Sequence, residues 1–222
     1  MKTIYLVRHG ESEINVGSIF GDDSSPLTEA GRMQAGRVAA RAAHMGIDSL
    51  IASTAMRAQE TASYISQTTG KNIETSPLFI ERMMPSSIVG LPRTDTAARA
   101  KADLAIKVSK EGGEKIEDAE SFDELADRAT KALAYLESRT EDRIMVVGHG
   151  FFTRVLVARV LYGESLTPSE FAPMGWGLRT TNTGITTLQY DPEDQRAQWG
   201  MIGWNDFAHL SDSFHVHRPD EE

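Results

Sequence analysis

The sequence predicts an α/β fold whose central sheet is mainly parallel. Short apolar runs typical of buried strands recur along the chain, and amphipathic segments with helix caps separate them. Strands that alternate with helices favour a parallel sheet covered by helices on both faces. The chain has 222 residues, 40% of them hydrophobic and 25% charged, which is enough for one sizeable core. We therefore expect a single domain over residues 1–222.

The first part of the chain supplies two strands and two helices. Residues 2–7 form the first apolar run, and "IDSLIAS" at 47–53 forms the second. Thr28 and Gly46 are the N-cap and C-cap of the helix predicted between them. Two more elements follow: a helix from Met56 to Thr69 ended by Gly70, and a mostly extended stretch at 71–81.

The stretch from Met83 to Glu120 has no clean hydrophobic period. It contains Pro85, Pro92 and the run "KEGGEK", which interrupt regular structure. We expect an irregular insertion at about 83–120 that acts as a lid, with one short helix near 96–109.

Clear signals return after this insertion. Ser121 opens "SFDE", a capping box that predicts the start of a strong helix. The remaining predictions are a buried strand at 143–148, an apolar helix at 151–163, late strands at 183–190 and 197–204, and a mobile tail at about 212–222.

Composition excludes several classes of function. The chain has no cysteine, so disulfides, thiolate metal sites and cysteine nucleophiles are excluded. It shows no signal peptide and no run of about 18 apolar residues, so a cytoplasmic protein without a membrane partner is expected. The net charge of −9 repels nucleic acid, and it makes any local cluster of arginines informative.

Three polar clusters follow three of the predicted strands. "RHG" at 8–10 follows the strand at 2–7, "STAMRAQET" at 53–61 follows the strand at 47–52, and "GHG" at 148–150 follows the strand at 143–147. The carboxyl ends of parallel strands point to one edge of the sheet, where ligands bind in such folds. We therefore expect one pocket to contain the following side chains: Arg8, His9, Arg57 and His149.

These residue types suit the transfer of a phosphoryl group. Arginine guanidinium groups match the oxygens of phosphate, and a neutral imidazole is a competent nucleophile toward phosphorus. Hydrolysis by this route also needs a group that protonates the leaving oxygen and later activates water. Glu81, after an extended apolar run, is the best-placed carboxylate, and Glu11 is its rival.

Two other patterns suggest different kinds of site, and each has less support. "VVGHGFFT" resembles a dinucleotide-binding fingerprint, but Thr153 replaces its third glycine and His149 occupies a position that needs close backbone approach. "HVH" at 215–217, alone or with His209, could hold a metal ion, but an acidic tail without further ligands favours a solvated terminus. No metal and no cofactor is expected.

The motifs together resemble those of the histidine phosphatase superfamily, in its phosphoglycerate mutase-like branch. The resemblance covers about residues 2–210 and rests on the following segments: "LVRHGESEIN", "SPLTEAGRMQA", "SxxxRAxxT" with Ser53, Arg57, Ala58 and Thr61, "VVGHG", "NTGITTL" and "WNDFAHL". It implies a three-layer α/β/α sandwich and no metal requirement.

The resemblance also implies roles for individual residues. His9 would be the nucleophile that becomes phosphorylated. Glu81 would be the proton donor, and Asn15 would line the phosphate pocket. The rest of that pocket would consist of Arg8, Arg57 and His149.

The family contains both mutases and phosphatases. Mutases typically continue the "ER" at this point with a histidine-tyrosine-glycine run and a basic lid, whereas Arg82 here is followed by Met83, Met84 and Pro85. These side chains form a soft apolar surface and not a grip for anions. The sequence therefore favours a phosphatase acting on a small phosphorylated metabolite that is partly apolar. A phosphoglycerate mutase-type phosphotransferase, or an idle relative that only binds a phosphorylated ligand, are the alternatives.

Overall fold

The structure is a computed structural model, and it describes residues 1–210. The tail predicted to be mobile at 212–222 lies outside the described residues, as do His215 and His217. Within residues 1–210, none of the helices combines the length and hydrophobicity needed to span a bilayer.

A six-stranded, mainly parallel sheet forms the centre of the fold, as predicted. The strands lie in the order β3-β2-β4-β1-β5-β6, and only β5 runs against its neighbours. They are β1 (Lys2–Arg8), β2 (Ser49–Ala52), β3 (Ile73–Thr75), β4 (Arg143–Gly148), β5 (Ile185–Tyr190) and β6 (Trp199–Asp206).

Helices cover both faces of this sheet, which confirms the three-layer arrangement. They are α1 (Glu13–Val16), α2 (Glu29–Ala42), α3 (Met56–Thr69), α4 (Thr96–Glu111), α5 (Phe122–Ser138), α6 (Gly150–Tyr162) and α7 (Pro168–Gly177). Helices α2 and α3 pack on one face, and α5, α6 and α7 pack on the other. Side chains of β4 alternate between these two cores, with Val146 in one and Val147 in the other.

The predicted helix caps lie where the sequence placed them, with one correction. Thr28 accepts a hydrogen bond from the amide of Gly31, and Gly70 ends α3 in the left-handed conformation at φ 71°. Helix α2 ends at Ala42, four residues before the predicted cap at Gly46. The reason is that the amides of His44 and Met45 bond to carbonyls three residues back, which tightens the chain into a turn.

The segment at 83–120 is more regular than predicted. Helix α4 contains 16 residues, more than the short helix expected at 96–109. Asp95 caps it by accepting from the amides of Ala97 and Ala98, and Gly112 ends it at φ 75°. Helix α4 packs mainly through alanines and not through long aliphatic side chains. Because alanine contributes little to a hydrophobic pattern, the sequence of this helix shows only a weak hydrophobic period.

Two helices were not predicted. Helix α7 begins with a capping box between Thr167 and Glu170, but it contains Pro173 and ends on glycine, which are signals for a loop. Helix α1 has only four residues, too few for a visible period. The strand β2 is shorter than the predicted 47–53.

Candidate active site

The ends of β1, β2 and β4 bring the polar clusters together. Arg8 pairs with Gly148 in the register of β1 and β4, so the next residues, His9 and His149, are neighbours. Their ring centroids are 5.1 Å apart, and the two side chains are 4% and 1% exposed. Arg57 reaches the same place from the first turn of α3, directly after β2. The structure thus brings the four side chains together, but the cavity is lined by Arg8, His9 and Arg57 and not by His149, whose ring lies beneath them.

His9 is held in one tautomer. Its Nδ1 lies 2.6 Å from the carbonyl oxygen of Gly10, and because a carbonyl only accepts, Nδ1 carries the hydrogen. Nε2 of the neutral ring therefore has a lone pair. Burial, and then the charges of Arg57, His149 and Arg8, lower the pKa of His9 well below its usual value. The ring is neutral at pH 7, as a nucleophile must be.

Gly10 is required by the close approach of helix α2. A Cβ on Gly10 would lie 2.6 Å from the carbonyl oxygen of Gly31, and a Cβ on Gly31 would lie 1.8 Å from the carbonyl oxygen of Glu11. The amide of Gly10 also donates to Oγ1 of Thr61 on α3. The turn after β1 is therefore packed between two helices, which fixes the direction of the His9 ring.

Two guanidinium groups flank His9. Nη1 of Arg8 donates to the carbonyl of Thr180 at 2.6 Å. Nη2 of Arg57 lies 3.3 Å from Oδ1 of Asp23, and its Nη1 lies 3.3 Å from the carbonyl of Asp22. Arg57 is 4% exposed, and its Nε has no hydrogen-bond partner within residues 1–210. A tetrahedral anion between these arginines would find donors on both sides.

His149 stands behind Arg57. Its Nδ1 lies 3.4 Å from Nη2 of Arg57, a donor, so Nδ1 accepts and Nε2–H donates to Oγ of Ser53 at 2.8 Å. Burial, followed by the charges of Arg57 and Arg8, holds the pKa of His149 well below its usual value. In this arrangement the neutral ring supports the guanidinium group of Arg57.

Glu81 is bound to the start of helix α6. Its Oε1 accepts from the amides of Phe152 and Arg82, each at 3.0 Å, and its Oε2 accepts from the amide of Phe151 at 3.1 Å. The carboxylate therefore caps α6 while it lines the cavity beside His9. The rival, Glu11, points to α2, where its Oε1 accepts from the hydroxyl of Thr28 at 2.6 Å.

Asn15 lies on α1 at the wall of the cavity. Its Oδ1 accepts from both the amide and the hydroxyl of Ser12, each at 3.0 Å. Because Oδ1 of Asn15 is already engaged, the atom left to bind a ligand is Nδ2. Its hydrogens can be donated to phosphate oxygens.

Sequence reasoning missed a buried segment at 180–184 that supports the turn after β1. The amide of Thr183 donates to the carbonyls of Arg8 and His9, and Nδ2 of Asn182 donates to the carbonyl of His9 at 3.0 Å. The run "RTTNTG" before β5 offered a signal, because polar residues so close to a buried strand need partners.

One cavity of about 370 Å³ opens over these residues. Its inner end contains Arg8, His9, Asn15, Arg57 and Glu81, and its outer part lies between residues 14–23 and the lid segment, by which we mean residues 83–120. Of the three residues predicted to form an apolar surface, Met83 and Met84 line the cavity and Pro85 does not. Phe151 and Phe152, in the first turn of α6, are buried in the core and do not line the cavity.

Comparison with known proteins shows the family. The sequence profile of the histidine phosphatase superfamily, branch 1, matches residues 4–205, and the chain belongs to that family. It is 32% identical over 220 residues to a protein of Escherichia fergusonii named "Probable phosphoglycerate mutase GpmB", with 95% of each chain covered. A protein of the same name from Salmonella typhi is 31% identical over 220 residues, again with 95% of each chain covered.

Solved structures share the fold. A mycobacterial glucosyl-3-phosphoglycerate phosphatase in complex with inorganic phosphate has a TM-score of 0.75 and 22% identity, over 95% of this chain and 100% of that one. An alpha-ribazole phosphatase from Shigella flexneri has a TM-score of 0.75 and 20% identity, over 92% of this chain and 96% of that one. At these identities the likeness concerns the fold alone.

Proposed function

We propose that the protein is a metal-independent phosphomonoester hydrolase that acts through a phosphohistidine on a small phosphorylated metabolite. One observation carries the proposal: His9 is neutral and buried, its proton is held on Nδ1 by Gly10, and Arg8 and Arg57 line the same cavity. This arrangement offers a nucleophile and a clamp for the charge that develops on phosphorus.

The reaction has two steps. Nε2 of His9 attacks phosphorus, and the bond from phosphorus to the ester oxygen breaks. Glu81 gives a proton to that oxygen, and the alcohol leaves. Glu81, now ionised, then takes a proton from water, whose oxygen attacks phosphorus and releases inorganic phosphate from His9. The phosphoryl oxygens are bound throughout by Arg8 and Arg57, with Asn15 as a further donor and His149 supporting Arg57.

The outer part of the cavity favours hydrolysis over a mutase reaction. A mutase must also hold a second anionic group of its substrate. Arg99 is paired with Asp103 at 3.0 Å, and Arg93 donates to the carbonyls of Ile14 and Ile19. Two more carboxylates, Asp22 and Asp118, line the same region. A second anion would therefore have to displace these partners and lie beside the carboxylates, which favours hydrolysis.

Hydrolysis of 4-nitrophenyl phosphate in the presence of a chelator tests the proposal. We compare the wild type with His9→Ala and with His44→Ala, an exposed histidine in the turn after α2 that serves as control. Activity that survives the chelator, vanishes only in His9→Ala and is accompanied by an acid-labile phosphohistidine supports the hydrolase. Transfer between phosphoglycerates without release of phosphate would support the mutase, as the names of the relatives suggest. Binding of phosphate without turnover would support an idle relative.

A further inference from the structure

The outer part of the cavity is an apolar pocket of its own. Phe20, Ile88, Ala98 and Ala102 are buried together there, and Met84 packs against them. The surfaces that complete the lining are mostly apolar too: Ile14, Met83, Val89 and Ile106. Residues from α1, the loop after it, the lid segment and α4 therefore build one continuous apolar surface next to the phosphate clamp.

Backbone hydrogen bonds hold this pocket together. The amide of Phe20 donates to the carbonyl of Leu91 at 2.9 Å, and the amide of Gly90 donates to the carbonyl of Phe20 at 2.8 Å. The amide of Arg93 donates to the carbonyl of Ser18 at 2.7 Å, and the Arg93 guanidinium lies 5.1 Å from the centroid of the Phe20 ring. Two loops are thus joined like neighbouring strands, so the pocket exists before a ligand arrives.

The rim of the pocket carries charges of both signs, and its arginines already have partners. Asp22, Asp103 and Asp118 line it together with Arg82, Arg93 and Arg99. Arg99 is paired with Asp103, Arg93 donates to the carbonyls of Ile14 and Ile19, and Arg82 lies near the hydroxyl of Ser109 at 3.4 Å. A ligand group that enters would leave water for an apolar surface, and a carboxylate entering there would lose its hydration without gaining a cationic partner of the kind that Arg8 and Arg57 offer the phosphate. An uncharged apolar group would gain from burial.

We propose that the alcohol part of the substrate is uncharged and apolar, and that it binds in this pocket while the phosphate lies between Arg8 and Arg57. The inference rests on the proposed function and adds the class of leaving group to it. A cavity of about 370 Å³ lies at the small end of the range for ligand pockets, about 300–1,000 Å³, so the alcohol is small.

A series of alkyl phosphates tests the inference, because their alcohols differ little in acidity. We expect kcat/KM to rise about two- to fourfold for each methylene from methyl through butyl to hexyl phosphate, as burial of a CH₂ group predicts. 5-Carboxypentyl phosphate has nearly the length of hexyl phosphate but ends in a carboxylate. We expect its kcat/KM to be at least about tenfold lower than that of hexyl phosphate, because the carboxylate loses its hydration on an apolar surface.

A matched pair of variants assigns the effect to the pocket. Ile106 lies on α4 and lines the cavity, whereas Leu104, two residues earlier, is 48% exposed and does not line it. Ile106→Asn should lower kcat/KM for hexyl phosphate about tenfold and leave methyl phosphate unchanged, and Leu104→Asn should change neither. Thermal unfolding checks that both variants fold.

The outcomes separate this inference from the function on which it rests. Hydrolysis of all esters with no gain along the series, or a preference for the carboxylate ester, would overturn the apolar class while the hydrolase stands. Equal losses of activity in Ile106→Asn and Leu104→Asn would also overturn the apolar class while the hydrolase stands. If no ester is hydrolysed and His9 is never phosphorylated, the hydrolase itself is wrong, and the inference fails with it.

Discussion

The backbone amide of Thr183 donates hydrogen bonds to the carbonyl oxygens of both Arg8, at 2.9 Å, and His9, at 3.3 Å. Thr183 is fully buried and has φ 61°, a conformation that costs a β-branched residue about 1–2 kcal/mol. Its hydroxyl is bonded to Nε2 of His209 at 3.1 Å. The backbone at Thr183 is thus strained, and in this conformation its amide donates to the turn that carries His9.

Replacing Thr183 with valine removes the hydroxyl and keeps the shape. We expect the free energy of unfolding of Thr183→Val to fall by about 1–2 kcal/mol, because Nε2 of His209 loses the hydroxyl to which it is bonded. We also expect kcat/KM to fall, because the turn at His9 is less firmly held. Urea unfolding and hydrolysis of 4-nitrophenyl phosphate measure the two effects.

The control for this substitution is Thr68→Val. Thr68 is exposed on α3, and its hydroxyl donates only to the carbonyl of Tyr64 one turn earlier. That variant should stay within about 0.5 kcal/mol of the wild type. An unchanged Thr183→Val would mean that the hydroxyl has no part in positioning the turn.

The clusters around Arg8, Arg57 and His149 could be predicted from the sequence because each follows a buried strand of a parallel sheet. Strand direction alone then brings them to one edge. The amide donors of residues 182–183 were missed, since a turn of short polar residues has no hydrophobic period. Contacts of Glu81 with α6 join residues about 70 positions apart, and no local pattern reports such a distance.

The lid segment shows a second limit of sequence reasoning. Its prolines and glycines predicted irregular structure, yet Asp95 and Gly112 enclose a helix of 16 residues. The helix packs through alanines such as Ala98 and Ala102, whose small side chains lie in the apolar cluster with Phe20 and Ile88. Tertiary packing, and not a strong apolar stripe, stabilises it.

Acid should destabilise the fold. The pKa values of His9 and His149 are lowered by burial and by nearby arginines, so the folded chain leaves both rings neutral where the unfolded chain protonates them. The unfolded state therefore binds more protons below about pH 6.5, and stability falls as the pH decreases from there. Burial and Arg41 lower the pKa of His209 to about 4, which acts in the same direction.

Urea unfolding of the wild type at pH 7.5 and pH 5 measures this effect. We expect a lower midpoint at pH 5, and a smaller difference in His149→Asn, which has one buried imidazole fewer. His9 stays neutral to a lower pH than a free imidazole. Once ionisation of the substrate itself is taken into account, we therefore expect kcat/KM to fall only below pH 6.5. Equal stability at both pH values would contradict the lowered pKa values.

In the proposed mechanism, Asp23 competes with the substrate for Arg57. Its carboxylate is 59% exposed and lies 3.3 Å from Nη2 of Arg57, a donor that the phosphate would also need. We expect Asp23→Asn to tighten inhibition by inorganic phosphate about two- to fivefold, the range for an exposed ion pair. Asp142→Asn is the control, since it changes charge equally at the opposite end of β4. Equal tightening in both variants would point to net charge instead of this pair.

The substitution Glu81→Gln tests whether Glu81 is the general acid that protonates the leaving oxygen. An alkyl phosphate needs a proton on its leaving oxygen, so its kcat/KM should fall about 10²- to 10³-fold. 4-Nitrophenyl phosphate releases a stable anion and should lose less than about tenfold. Glu11→Gln, whose carboxylate faces Thr28 on α2, should change neither rate. Equal losses on both esters in Glu81→Gln would mean that Glu81 serves as the cap of α6 and not as the acid.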